Sequence, residues 1–300
     1  MKKILVITNT NDSTVDHLML KYKGVVEFYR YNIDEFQNYK IIINTTGWSL
    51  SNSFWTITDR VINSIYYRKP RMPDLTCYDD SYHFMIHKDI LNIVNGLADS
   101  FQGTVLTAPS ILRKTENKIY QMMTAQNFGM KTPISFLGND NDSVIEFLNK
   151  KSIIKPISIG KTCHKNNIEL YHTSLFTGCD EDISLSPIYL QEYVEKLYEV
   201  RLTIIDDCFY PIRIDCSDKI DWRKDYQNHK YSIIHCPKSV KNNCLKLMTE
   251  YGLSFGAFDF IVTPKNEWIF LEVNPNGQWL WLEKALNIDI SSNILNHLLR

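Results

Sequence analysis

Residues 258–276 run from Phe258 through Asp259-Phe-Ile-Val262, Thr-Pro264-Lys265-Asn266-Glu, and Trp268-Ile-Phe-Leu-Glu272-Val to Asn274-Pro-Asn276. Two apolar runs flank a Pro-Lys-Asn turn signal, so the stretch is expected to form a β-hairpin. With Lys265-Asn266 as a two-residue loop, residues whose numbers sum to 531 face each other, which sets Asp259 against Glu272. Asn274 follows two residues after Glu272 and projects from the same face if the strand continues that far. Like charges directly opposite in a sheet are destabilising, and these acids sit among Phe, Ile and Leu, so a cation is needed to offset them. Two carboxylates and an amide are hard oxygen donors that suit Mg²⁺ better than zinc or copper. Mg²⁺ prefers to share its coordination with phosphates, which implies a nucleotide beside the hairpin. The bland alternative is a surface hairpin whose acids point to water or pair with a nearby lysine.

Outward from the hairpin, phosphates would need further cations. Lys155 ends the short strand Ile153–Lys155, and the loop Ser158-Ile159-Gly160-Lys161 follows it. A strand-end lysine beside a glycine loop has the form of a phosphate cradle, although a solvated lysine is the common case. Lys118 is ambiguous in the same way, near the start of an amphipathic helix over Glu116–Asn127 that Gly129 closes. Arg201 and Arg213 lie in the strands Glu199–Ile205 and Phe209–Ile214. A three-residue turn at Asp206–Cys208 would place them opposite each other and call for a phosphate or carboxylate. The other reading sends each to a surface acid, with Glu199 and Asp215 at hand. The strand Tyr189–Val194 carries Gln191 and Glu192, whose partner is either an adenine amine or, at an edge, water. A helix is expected over Pro237–Tyr251, with Pro at its start and Gly252 at its end.

The first hundred residues alternate strand and helix. Lys3–Thr8, Val25–Tyr31 and Lys40–Asn44 read as strands, Val61–Tyr67 is ambiguous, and Tyr82–Phe101 is a helix with Ile86, Ile90, Ile93, Val94 and Leu97 on one face. This is an α/β unit without a GxGxxG loop, so no nucleotide site is expected in it. At 300 residues, 44% apolar and 22% charged, the chain can build two or three cores. A net charge of −1 argues against nucleic acid as the main partner. Seven cysteines without a close pair read as reduced thiols. The apolar run after Met1-Lys2-Lys3 is too short for a signal peptide, and nothing approaches membrane-spanning length, so a cytoplasmic protein without a membrane partner is expected.

Taken in order, Asn117-Lys118, Ile154-Lys155-Pro156, Gln191-Glu192-Tyr193-Val194, Glu199-Val200-Arg201, Phe258-Asp259 and Leu271-Glu272-Val273-Asn274-Pro275-Asn276 resemble the motifs of the ATP-grasp superfamily over roughly residues 110–300. The resemblance implies an α/β and α+β chain. Its parts would be a pre-ATP-grasp α/β domain (1–112), a central ATP-grasp lobe (113–188) and a C-terminal lobe with the Mg²⁺ hairpin (189–300). It implies that Lys118 and Lys155 contact ATP phosphates beside Gly160. The hinge Gln191-Glu192-Tyr193-Val194 would hold adenine, with Glu192 taking its amine and Val194 its ring nitrogen through the backbone. Glu199 would reach the ribose, Asp259, Glu272 and Asn274 would bind Mg²⁺, and Arg201 and Arg213 would stabilise an acyl-phosphate.

Four further stretches resemble the graspetide synthetases, the microviridin-type peptide maturases. They are Asn274-Pro-Asn-Gly-Gln-Trp279-Leu-Trp281-Leu-Glu283, Asp221-Trp222-Arg223 and the opening Ile4–Thr14, together with Tyr66-Tyr67-Arg68-Lys69. That likeness implies a ribosomal precursor peptide, with leader and core, as partner. An Asp or Glu of the core would be phosphorylated and attacked by a Ser/Thr hydroxyl or Lys amine, giving a macrocyclic ω-ester or ω-amide. Thr107-Ala108-Pro109 and Arg68-Lys69 depart from that family's pattern, the latter standing where two arginines are common. Trp279 and Trp281 are equally readable as core aromatics, and Arg68-Lys69 as snorkelling cations at a strand end. A RimK-type ligase adding free amino acids, and an ATP-binding scaffold without chemistry, are the rival functions. A homodimer is the default expectation, and the general base is not named by the sequence.

Overall fold

The computed structural model describes residues 1–158, 160–164, 167–178, 182–216, 220 and 229–300, with backbone only at 146, 148, 161–164 and 167–170. Ile159 and the Asp221-Trp222-Arg223 stretch lie outside the described residues.

The chain opens with β1 (Lys3–Thr8), α1 (Ser13–Lys21) and β2 (Glu27–Asn32), then β3 (Lys40–Asn44), β4 (Gly47–Ser51), β5 (Thr56–Thr58), β6 (Ser64–Tyr67), α2 (Asp80–Asp99) and β7 (Thr104–Leu106). A parallel sheet of order β2-β1-β6-β7 forms its centre. Parallel strands are covered on both faces, which is why Ile4–Ile7 and Ile65–Tyr67 are apolar without alternation and buried throughout. Asp12 starts α1 by accepting from Thr14 N and Val15 N, and Asp79 starts α2 by accepting from Ser81 N. One side of the sheet packs on Ile90, Val94 and Leu97 of α2, as the helical spacing predicts.

Lys40–Asn44 is a strand as expected, though it belongs to a separate antiparallel sheet of order β3-β4-β5, and Ile42 and Ile43 are exposed. Apolar residues in a short run do not distinguish a central strand from an edge.

Next come α3 (Pro109–Thr115), α4 (Lys118–Asn127), β8 (Ser135–Gly138), α5 (Asn141–Leu148), β9 (Ser152–Lys155), β10 (Lys161–His164), β11 (Asn167–Leu170), β12 (Ser174–Phe176) and β13 (Ile188–Glu192). The sheet β12-β9-β13-β8 is antiparallel. Because β13 is one of its inner strands, this lobe extends to Glu192, past the division expected at 188. The helix α3 was not anticipated; it precedes α4, whose N-cap is Asn117 rather than Glu116. The lobe's described buried apolar residues, Val144, Phe147, Ile183 and Leu190, form a small core.

The last part holds β14 (Tyr198–Ile205), β15 (Cys208–Asp215), β16 (Lys230–Ile233), α6 (Lys238–Tyr251), β17 (Phe255–Val262), β18 (Trp268–Asn274), α7 (Leu280–Leu286) and α8 (Ile290–Leu298). Helix α6 is bounded as expected, by Pro237 and by Gly252 at φ +71°. The antiparallel sheet β16-β15-β14-β17-β18 has two unlike faces. Val200, Leu202, Ile204, Phe258, Phe260 and Val262 pack on α6 and on Ala125 of α4. On the other face Ile205, Ile212, Phe255 and Ala257 share a core with Ile4, Val6 and Tyr66 of the parallel sheet, closed by Trp279 and α8. Trp279 is fully buried and donates its Nε1–H to Tyr66 Oη at 3.3 Å, so it is a core aromatic. The N-terminal unit is thereby fastened to the sheet that carries the acids.

Candidate active site

Two turns decide which side chains reach the site. In the β17–β18 hairpin, Asn266 N donates to Thr263 O and Thr263 N to Glu267 O, with Asn266 at φ +60°. The loop is therefore three residues, Pro264-Lys265-Asn266, with its left-handed residue last. Paired positions sum to 530 near this turn, from Val262–Trp268 to Phe260–Phe270. A β-bulge between Asp259 and Phe260 then shifts the register to 531, so Asp259 does pair with Glu272, and Ala257 with Asn274. The expected pair is right and the expected loop is wrong. Without the bulge, pleat alternation would turn Glu272 and Asn274 into the α6 core; a bulge re-aims side chains at such places.

The β14–β15 turn has two residues, Asp206-Asp207, not three. Asp206 takes φ +52°, and its carboxylate is held by His297 Nδ1 at 3.0 Å and Arg300 at 2.7 Å. Arg201 therefore pairs with Ile212, and Arg213 with Val200. The two arginines point to opposite faces, which corrects their expected pairing. Arg213 stacks on Tyr198 at 4.2 Å, hydrogen-bonds Asp215, and lines neither cavity described below. It takes the alternative left open in the sequence, a salt bridge to a neighbouring acid.

Arg201 is on the acidic face, nearly buried, with Nε 3.2 Å from Asp259 Oδ1. Asn274 Nδ2 lies 3.1 Å from Asp259 Oδ2 and 3.4 Å from Glu272 Oε1. Three polar heads thus converge, and rotating the Asn274 amide would present its oxygen to the same point. Among the described residues no group of three His, Cys, Asp or Glu side chains gathers to hold a metal ion, so the amide of Asn274 is the third head here. Two carboxylates plus one amide fit a hard divalent ion that shares its coordination with phosphate.

Lys118 Nζ stands 3.9 Å from Glu272 Oε2 and donates to Pro156 O at 2.8 Å. Its helix is set by a residue that sequence reasoning missed. Gln121, buried, donates from Nε2 to Val273 O at 2.9 Å and accepts at Oε1 from Val273 N at 2.8 Å. Its amide acts as one more strand unit along the outer edge of β18, locking Lys118 to the acids. A single Gln in the first turn of a helix gives no sequence signal of this.

Lys118, Asp259, Glu272 and Asn274 open on one cleft of about 360 Å³ between the two lobes. Lys118, Lys155, Gly160, Gln191, Glu192, Tyr193, Val194, Glu199, Asp259, Glu272 and Asn274 line it, as do Ile153, Ile261 and Leu271. Gln191 Nε2 donates to Ser135 Oγ and Tyr189 Oη, while its buried Oε1 has no protein partner among the described residues. A buried acceptor of this kind calls for a ligand donor such as an amine. Glu199 pairs with Lys196, and Lys151 lies 3.7 Å over the Tyr193 ring.

A second cavity, of about 910 Å³, meets the first at Asn274. Lys69, Lys88, Arg113, Arg201, Glu116 and Trp281 are on its wall. Trp281 packs edge-on against Tyr231 at 5.1 Å, so of the two tryptophans one is core and the other site.

No family model matches the sequence, and no curated protein matches it. Solved structures do. The macrocyclase MdnC of Microcystis aeruginosa, bound with the precursor peptide MdnA, is 22% identical over 99% of both chains with a TM-score of 0.88. A RiPP-associated ATP-grasp ligase of Chryseobacterium gregarium, in complex with ADP and a leader and core peptide, is 24% identical over 100% of this chain and 97% of that one, with a TM-score of 0.88. The macrocyclase MdnB of Microcystis aeruginosa is 25% identical over 99% of both chains, with a TM-score of 0.83. The chain has the ATP-grasp fold. The ordered motifs that suggested it supply Lys118, Lys155, Gln191, Glu192, Tyr193, Val194, Glu199, Asp259, Glu272 and Asn274 to the walls of the ATP-grasp cleft and Arg201 to the second cavity.

Gly160 shows how tightly the ATP-grasp cleft is built. A Cβ there would run into Tyr171 O and come within 2.9 Å of Pro156 Cγ. Its own carbonyl accepts from Tyr171 N at 2.8 Å. Gly160→Ala is expected to force these strands apart and weaken nucleotide binding by about 10-fold or more, the worth of one displaced charged hydrogen bond. Titration with a fluorescent ATP analogue checks it.

Proposed function

We propose that the protein is an ADP-forming ligase that phosphorylates Asp or Glu side chains of a ribosomal precursor peptide and joins them to Ser, Thr or Lys side chains as macrocyclic ω-esters or ω-amides. The observation that carries this reading is the junction of two cavities at Asn274, with Arg201 on the wall of the second and ion-paired to Asp259 of the first. One cavity suits a nucleotide. The other is large enough for a peptide loop and carries four cations against one acid, which suits an acidic side chain. The precursor, leader and core peptides bound by MdnC and the Chryseobacterium ligase support the same class of partner.

In this reading Asp259, Glu272 and Asn274 hold Mg²⁺, Lys118 and Lys155 neutralise phosphates, and Gln191–Val194 receive the adenine. Bound there, Mg²⁺-ATP supplies the phosphoryl group that turns a poor carboxylate electrophile into a good one. Arg201 orients the substrate carboxylate and balances charge developing on it. The walls position both reactants at one point, which is most of what phosphoryl transfer requires. A homodimer working in the cytoplasm without nucleic acid belongs to the same proposal; among the described residues no helix is long and apolar enough to cross a membrane.

Lys118→Ala and Lys155→Ala are each expected to weaken ATP binding by about 10–100-fold, the equivalent of one charged hydrogen bond of about 1.5–3 kcal/mol. Calorimetric titration with Mg²⁺-ATP measures it. The function itself is tested by mass spectrometry of any short Ser/Thr- and Asp/Glu-rich peptide encoded beside the gene, after reaction with Mg²⁺-ATP. Loss of one water per link supports the proposal. A gain of amino-acid mass, when free amino acids are supplied, points to the RimK-type reaction. ATP bound without turnover points to a scaffold.

A further inference from the structure

Gln191 is 2% exposed and lies within β13, paired with Ser135 of β8 on one side and Ile153 of β9 on the other. Leu190 packs into the small core of this lobe. Pleat alternation therefore turns Tyr189, Gln191 and the paired Ser135 to the other face, toward the cleft that Ile153 and Lys155 line. An amide carries two donors on one atom and an acceptor on the other, so the way it lies decides what it offers a ligand.

The neighbours of Gln191 decide how it lies. Ser135 Oγ donates its proton to Pro133 O at 3.0 Å, which leaves its oxygen to accept. Tyr189 is hydrogen-bonded to Ser135, and burial pushes its hydroxyl up to about 12, so it stays protonated. With the Ser135 proton on Pro133, the Tyr189 proton goes to Ser135 Oγ. Gln191 Nε2 then donates to both oxygens. Every proton of the three side chains has an acceptor. A reversed amide would set its oxygen against two oxygens whose protons are already committed. The atom left over is Gln191 Oε1, buried and without a protein partner among the described residues.

From this arrangement we propose that the Tyr189 and Ser135 hydroxyls set which nucleotide is accepted, by holding the Gln191 amide with its oxygen toward the base, a role that rests on the nucleotide site in the reading above. Adenine carries an amine on C6, a donor that satisfies Oε1. Guanine and hypoxanthine carry a carbonyl there, which would meet a second acceptor. A site built around a hydrogen bond strongly rejects an analogue that leaves it unmade. An amide free to turn would serve the carbonyl through Nε2 as well as it serves the amine through Oε1, and the preference would vanish. Neither Tyr189 nor Ser135 lines the cleft, so both are positioning residues that act through Gln191.

The test titrates Mg²⁺-ATP and Mg²⁺-ITP calorimetrically into wild type, Gln191→Leu and a variant carrying both Tyr189→Phe and Ser135→Ala. ITP has the carbonyl in place of the amine. Wild type is expected to prefer ATP by about 10²-fold or more. The double variant is expected to bind ATP within a few-fold of wild type and ITP about 10-fold more tightly than wild type does, the worth of one hydrogen bond regained. Gln191→Leu is expected to lose most of the preference by weakening ATP. Equal affinity of wild type for the two nucleotides overturns the proposal. So does a double variant that keeps the wild-type ratio or weakens both nucleotides in parallel, which reduces the hydroxyls to packing, or a preference that survives in Gln191→Leu. Wild type binding neither nucleotide refutes the nucleotide site itself, and this inference with it.

Discussion

Glu272→Gln is expected to lower ligase turnover by about 10²–10³-fold or more, the scale on which one preorganised electrostatic group acts, and to leave the protein as stable as wild type or slightly more so. The two effects have one cause. Glu272 faces Asp259 across the hairpin, and like charges directly opposite cost about 0.2–1 kcal/mol. Arg201, 3.2 Å from Asp259, and Lys118, 3.9 Å from Glu272, offset part of this. Glutamine keeps the shape and an acceptor for Asn274 while removing the repulsion. In the proposed reading it also removes a carboxylate that would hold the nucleotide's counter-ion. Thermal melts with and without Mg²⁺-ATP measure both: the variant's own melting temperature holds or rises, and the rise produced by the nucleotide shrinks. A variant that is destabilised yet active would mean the acids are structural partners of Lys118 and Asn274.

The second large effect is on stability. Arg68 is almost fully buried, 3.3 Å from Asp12 Oδ2 and within hydrogen-bond reach of Thr14 Oγ1, Gln278 Oε1 and Asn276 Oδ1. It ties the end of β6, the start of α1 and the loop after Asn274 into one cluster. Arg68→Leu leaves Asp12 buried without its cation. Removing one partner of a buried pair costs about 3–5 kcal/mol, and urea unfolding is expected to show a loss of that size. Arg68→Lys is expected to recover only part of it, because a point charge cannot reach three acceptors. A loss under about 1 kcal/mol, ordinary for exposed pairs, would show that the cluster is not what joins the N-terminal unit to the site.

This arginine marks where the sequence stopped being legible. As part of Tyr66-Tyr67-Arg68-Lys69 it reads equally as a snorkelling cation, because its acid, Asp12, is more than fifty positions away and its amide partners more than two hundred. Pairings of that range follow from topology, which local pattern does not carry. The hairpin is the opposite case. Alternating strands around a Pro-Lys-Asn turn were enough to bring Asp259 and Glu272 together, although the three-residue loop and the bulge that reconcile the register were invisible. Where no bulge compensated, a single residue in a turn decided the outcome: Asp206-Asp207 closes in two residues, and Arg213 turns away from Arg201. Most residues lining the ATP-grasp cleft were readable because most lie on or beside a strand whose periodicity is plain. Gln121 was not, since a polar residue near a helix start looks the same whether it faces water or a neighbouring strand.

The central claim is that a peptide carboxylate is activated by phosphorylation in the cleft between the lobes. The most direct measurement supplies the precursor peptide with heavy oxygen in its Asp and Glu side-chain carboxylates and follows the label by mass spectrometry. The account predicts one heavy oxygen delivered to inorganic phosphate for each link formed, and none in the Glu272→Gln variant. Links formed with the released phosphate unlabelled, or phosphate released from ATP while the labelled peptide stays unchanged, would contradict it.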